Sequence, residues 1–134
     1  MKLHETKYAG YFITDDGEVW SEWYRARPHR RPGEPHKLNQ HARGGVKDGD
    51  RYLAVNIRVT DANGETIKNK LEYVHRLVAE TLVDNPKNLP EIDHDDEDKH
   101  NNSASNLLWT TRKHNQRWMI GNHKLQYLPN HGNK

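Results

Sequence analysis

The stretch "EIDHDDEDKHNNSASNLLWTT", Glu91 to Thr111, decides the fold. It opens with a short apolar lead-in to Asp93-His94, passes through a run of acids and asparagines, and closes in the apolar segment "NLLWTT". That order reads strand, loop, strand. Thr111 can cap a following helix through "RKHNQRWMI", which Gly121-Asn122 would end. The unit is therefore β-loop-β-α, running from Glu91 to Asn122.

Three chemistries compete for this stretch: a solvated acidic loop, a calcium loop, or one half of a metal site. The calcium reading fails, because an EF-hand needs Gly at its sixth position and Glu at its twelfth. Counted from Asp93, those positions hold Asp98 and Ala104. A solvated loop leaves Asn106, the apolar "LLWTT" and the basic segment after it without a reason. A metal site accounts for them better. Asp93 is a hard oxygen donor suited to Mg²⁺ or Mn²⁺. His94, with an ordinary pKa of about 6.5, suits a general base at neutral pH. Asn115, in the second turn of the final helix, offers an amide oxygen if that helix packs back over the hairpin. One anionic and one neutral ligand leave most of a metal's shell open to water and phosphate, as phosphodiester hydrolysis requires. Arg112 lies one turn before Asn115, with Lys113 and Arg117 close by. Neighbouring strand residues point to opposite faces, so Asp93 and His94 converge only if the strand bends or ends there. The loop beginning at Asp95 would allow it.

Outward from this unit, "VHRLVAETLVDNP" places Val74, Leu77, Val78 and Leu82 at helical spacing, and Asp84-Asn85-Pro86 stops the helix. "RYLAVNIRVTDANGETIKNKLEYV" reads as a hairpin around Asn63-Gly64, and "GYFITDDGEVWSEW" as another around Asp16-Gly17. Between them, "YRARPHRRPGEPHKLNQHARGGVKDGD" shows neither hydrophobic period and is predicted to be a long mobile arm. There is no internal repeat.

The bulk numbers agree with a thin, polar fold. Of 134 residues, 32% are apolar, and the mean hydropathy is −1.20. Net charge is only +2, but nine cations lie between Arg25 and Arg58, and five cations with no acid run from Arg112 to the end. Two basic regions around an acidic knot point to a polyanionic partner. The chain has no cysteine, which excludes disulfides, thiol nucleophiles and zinc ribbons. No apolar run approaches the roughly 18 residues of a membrane span. "MKLHETKYAG" lacks the apolar core of a signal peptide, so a cytoplasmic location is expected.

At this point the residues resemble a known family. "VHRLVAETL", "IDH" and "NNSASNLLWTTRKHN" are similar to the cysteine-free HNH homing endonucleases of bacteriophages. "YAGYFITDDGEVWSEW" resembles the small N-terminal β module that often precedes them. The resemblance covers Tyr8 to about Asn115, interrupted by the arm. It implies an α+β fold, with N-terminal β-hairpins followed by a ββα-metal (HNH) nuclease unit. The expected division is residues 1–72 as the DNA-binding β module with its arm, 73–122 as the nuclease domain and 123–134 as a polar tail.

The resemblance further implies hydrolysis of double-stranded DNA that leaves 5′-phosphate and 3′-hydroxyl ends. His94 is then the general base, and Asp93 and Asn115 hold one Mg²⁺ or Mn²⁺, with no zinc. Asn106 braces the loop and so orients His94. His75 is part of the "VHRLVA" pattern and is expected to pack at the helix start, and His100 to be solvated. Family loops commonly carry glycine where Glu97 stands. Arg25, Arg27, Arg30, Arg31, Arg58, Arg112, Lys113 and Arg117 are the expected DNA contacts, with Asn56 beside Arg58 on the polar face of a hairpin. A monomer would nick one strand, and a homodimer could cut both. The implied setting is a phage-encoded protein in a bacterial cell, with no membrane partner. Two rivals remain open: a non-catalytic DNA-binding protein on the same fold, and a nuclease directed at RNA or branched structures.

Overall fold

The computed structural model describes residues 2–25, 29–44 and 51–112. Three short strands open it: β1 (His4–Glu5), β2 (Tyr11–Ile13) and β3 (Val19–Ser21). β2 and β3 pair antiparallel around the expected turn, where Gly17 takes φ 90°. The Thr14 hydroxyl accepts from Glu18 N, and the Gly17 N–H donates to Thr14 O. Only glycine adopts that left-handed backbone without steric cost.

The expected mobile arm is instead folded wherever it is described. β4 (Trp23–Tyr24) pairs with β5 (His29–Arg30), β6 (His36–Lys37) joins the edge of β3, and β7 (His41–Arg43) joins the next sheet. The cause is Glu22, which is almost fully buried. Its carboxylate accepts from Arg30 Nε and from Gly33 N, each at 2.8 Å, while its carbonyl accepts from Arg31 N. A buried carboxylate must be satisfied, and satisfying this one ties Arg30, Arg31 and Gly33 to Glu22 in a segment that lacks any hydrophobic pattern.

β8 (Tyr52–Thr60) and β9 (Thr66–Tyr73) form the longest hairpin, closed at Gly64 with φ 81°. Ala54, Val55 and Ile57 are buried while Asn56 stays exposed. Helix α1 (Val74–Leu82) follows at once and buries Val74, Leu77, Val78 and Ala79. Then β10 (Glu91–His94) and β11 (Leu107–Thr110) pair antiparallel, with His94 opposite Leu107 and Asp93 opposite Leu108.

One core joins these parts. Tyr11, Ile13 and Val19 from the first sheet meet Val55 and Ile57, the buried face of α1, and Leu107. Fully burying such an aliphatic side chain contributes about 1.5–3 kcal/mol. Tyr11 adds a polar tie, since its hydroxyl accepts from Arg58 N at 2.8 Å. The N-terminal hairpins and the β10–β11 unit therefore share one hydrophobic interior across residue 72. The helix expected after Thr111 lies outside the described residues beyond Arg112.

Candidate nuclease site

His94 ends β10 and is 5% exposed. Its Nε2 lies 2.8 Å from Asn102 Oδ1. An amide oxygen only accepts, so Nε2 carries the hydrogen and the neutral ring keeps its lone pair on Nδ1. Burial pushes the imidazole below its usual value, while the Asn102 bond and the carboxylates of Asp93, Asp96 and Asp98 act the other way. The balance keeps His94 neutral, the form a general base needs. Asn102 was not among the residues expected to matter. It stands in a polar loop, and only the folded loop brings it to His94. Its Nδ2 is buried with no hydrogen-bond partner among the described residues. Leaving such a donor unsatisfied costs about 1–3 kcal/mol.

Aromatic rings enclose the rest of His94. Tyr52 stacks on it at 6.0 Å and 29°, and His75 meets it edge-on at 5.3 Å. Tyr52 and Tyr73 also flank His75, at 4.8 and 5.7 Å. His75 thus lies at the helix start, packed against the candidate base. Burial first, then the nearby charges of His94 and Arg76, depress its pKa to about 3.

That depression carries a sign for stability. The unfolded chain protonates His75 near pH 6.5, whereas the fold refuses the proton until about pH 3. Between those values the unfolded state binds more protons, so stability is full above pH 6.5 and falls as pH drops. The expected loss is roughly 2–5 kcal/mol over that window. Denaturant titrations between pH 7 and pH 4 should show it, and His75→Phe should flatten the slope. Equal slopes in both proteins would place the acid sensitivity elsewhere.

The loop after His94 is built around Asp96 and Asn106. Asn106 Nδ2 donates to Asp96 Oδ1 at 2.9 Å and to Asn101 O at 2.8 Å, and its Oδ1 accepts from Asp96 N. Asn101 Nδ2 donates to the other Asp96 oxygen. These bonds, the one from Asn101 first, hold the Asp96 carboxyl below its usual range. Asn106 thus braces the loop, while the direct hold on His94 belongs to Asn102. His100, expected to be solvated, is exposed, but its Nε2 donates to Arg51 O at 3.0 Å and ties the loop to the start of β8.

Glu97, where relatives were expected to carry glycine, adopts φ 65°. Left-handed backbone costs a residue with a Cβ roughly 1–2 kcal/mol. Three neighbouring aspartates add like-charge repulsion. Glu97→Gly should raise stability by about 0.5–1 kcal/mol, the gain being reduced by glycine's extra freedom in the unfolded chain. A denaturation midpoint that stays put or falls would contradict this.

Asp93 is half-buried on β10, directly before His94 and close enough for their charges to interact. Among the described residues no group of three or more His, Cys, Asp or Glu side chains is placed to hold a metal. Asn115, the expected second ligand, lies outside the described residues, as do Arg27, Lys113 and Arg117. The donor chemistry nonetheless fits a hard divalent cation: one carboxylate beside a histidine already committed through Nε2, in a loop rich in carboxylate and amide oxygens.

The expected DNA contacts divide into two kinds. Arg25 and Arg58 line one cleft of about 560 Å³ with Trp23, Tyr24, His36 and Asn56, and among the described residues no acid lines it. Arg58 lies over Trp23 at 5.4 Å, and its Nε is buried with no hydrogen-bond partner among the described residues. Arg30 is instead engaged by Glu22, and Arg31 covers Tyr24 at 4.6 Å. Arg112 is exposed at the end of the described chain.

No protein-family profile matches the chain. It is 38% identical over 105 residues, 78% of its length, to a protein of Acanthamoeba polyphaga mimivirus described as an uncharacterized HNH endonuclease. It spans 26% of that relative. A solved structure described as DNA binding and cleavage by the HNH homing endonuclease I-HmuI matches its fold with a TM-score of 0.59 and 27% identity. That match covers 91% of this chain and 60% of the other.

Proposed function

The chain belongs to the HNH endonuclease family, and from that footing we propose that it hydrolyses phosphodiester bonds of double-stranded DNA with one divalent metal ion, opening one strand per encounter. The observation that carries the reading is His94, buried, kept neutral and held through Nε2 so that Nδ1 is the basic nitrogen. In this account Nδ1 takes a proton from a water molecule as the water oxygen bonds to phosphorus. The phosphorus–O3′ bond breaks, and the departing 3′-oxygen takes a proton from solvent water to become a hydroxyl, while His94 later returns its proton to solvent. Asp93, with Asn115 from the following helix of a ββα unit, would hold the metal. Once bound, Mg²⁺ or Mn²⁺ supplies the positive charge that stabilises the crowded phosphate and the departing oxygen. Asn106 and Asp96 keep the loop, and with it Asn102, in place.

DNA is held, in this reading, by the cleft of Arg25 and Arg58, with Arg112, Lys113 and Arg117 on the side of the chemistry. Asn56 offers an exposed amide able to read a base edge. Arg58→Ala should weaken binding across sequences and lower the slope of log affinity against log salt by about one, since each phosphate contact releases about one counterion. An unchanged slope would remove Arg58 from the interface.

The function itself is tested on supercoiled plasmid incubated with Mg²⁺, Mn²⁺ or EDTA. Open circles that need metal support a single-strand nicking enzyme. Linear product without open circles would mean a dimer cutting both strands. Intact plasmid alongside a clear gel shift would favour the non-catalytic DNA-binding alternative.

A further inference from the structure

The turn between β2 and β3 reaches into the nuclease site. A side-chain carbon on Gly17 would lie 2.9 Å from the Asn102 backbone oxygen and 3.0 Å from the Asn102 Cβ. Those separations are below any ordinary contact, so the two segments approach this closely only because residue 17 has no side chain. Beside this contact, Ala104 N donates to Asp15 O at 2.9 Å. Gln40 Nε2 donates to Gly17 O at 2.8 Å and pins the turn from the other side. Asn102 itself is 3% exposed and has no room to retreat.

We propose that this N-terminal turn is a positioning element of the nuclease site. It seats Asn102 against His94, so that the Nε2–H tautomer is selected and Nδ1 is left as the base. The proposal rests on the reading of His94 as general base, but its structural half does not need cleavage to be tested. The β module is then part of the catalytic scaffold as well as a candidate DNA-binding element. Asn102 and Gly17 act through His94 and touch no substrate.

The test compares full-length Gly17→Ala, Asn102→Ala and Asn102→Asp with wild type. Gly64→Ala serves as the control, because Gly64 has a similar positive φ and nothing within 4 Å of an added carbon. Three quantities are read: single-turnover cleavage rate on plasmid DNA, DNA affinity, and the ¹⁵N resonances that report the His94 tautomer in the resting protein. Gly17→Ala and Asn102→Ala should each cut the rate about 10–100-fold, the scale set by misplacing a catalytic group. Affinity should stay within about twofold, as expected where only the chemical step is affected. Both variants should lose the pure Nε2–H signature. Asn102→Asp, which keeps an acceptor, should restore that signature and much of the rate. Gly64→Ala should lose thermal stability like Gly17→Ala yet retain rate and tautomer. A Gly17→Ala protein with wild-type tautomer and rate would overturn the proposal. So would rates that fall only in step with stability in both glycine variants. If wild type cuts no DNA, the nuclease reading falls, and the tautomer in Gly17→Ala and Asn102→Ala still decides this inference.

Discussion

Replacing His94 with alanine is expected to lower single-turnover cleavage by about 10²–10⁴-fold, the range a well-placed general base supplies. DNA affinity should change little, because His94 is buried and the proposed reading places it in the chemical step alone. The substitution also has a folding cost. It leaves Asn102 without the partner of its Oδ1 and opens a gap beside Tyr52 and His75. A loss of about 1–3 kcal/mol of stability is expected from the orphaned amide alone. Rates should therefore be compared at a temperature where circular dichroism shows both proteins folded. A His94→Ala protein that is folded, binds DNA and cleaves at the wild-type rate would remove the base from the account.

The second large effect is expected at Asp93. Asp93→Asn keeps the shape of a half-buried strand residue and removes the anionic oxygen. Metal-assisted charge stabilisation is worth several kcal/mol, so cleavage should fall by about 10³-fold or more at 1.36 kcal/mol per decade. Weaker Mn²⁺ binding, read by electron paramagnetic resonance without DNA, should accompany the loss. The double variant Asp93→Asn/His94→Ala should be little worse than either single one, because residues acting as a unit are not additive. Unchanged Mn²⁺ affinity in Asp93→Asn would direct the search for the ligand to other oxygens of the loop.

Much of this architecture could be read from local signals. Asp16-Gly17 and Asn63-Gly64 announced their turns because positive φ favours glycine so strongly. The 3.6 spacing of Val74, Leu77 and Val78 marked α1, and the strand-loop-strand order of Glu91 to Thr111 marked β10 and β11. What could not be read depends on contacts distant in the chain. Glu22 orders the basic segment by reaching Arg30 and Gly33, and no period in "RARPHRRPGEPHK" records that. Asn102 looked like one more loop asparagine, and its link to His94 exists only once Asp96 and Asn106 have folded the loop. Its contact with Gly17 spans most of the chain. A sharper signal was available at Glu97, where an expected glycine is replaced while the backbone keeps the conformation glycine prefers.

The proposed reaction is metal-dependent hydrolysis of one DNA strand with His94 as base. It is tested most directly on a duplex labelled separately on each strand, incubated with Mg²⁺ under single-turnover conditions, with the new ends identified chemically. The expected cuts are confined to one strand per duplex and leave 5′-phosphate and 3′-hydroxyl ends, with no product in EDTA. Cleavage that persists in EDTA, or leaves 3′-phosphate ends, would contradict it.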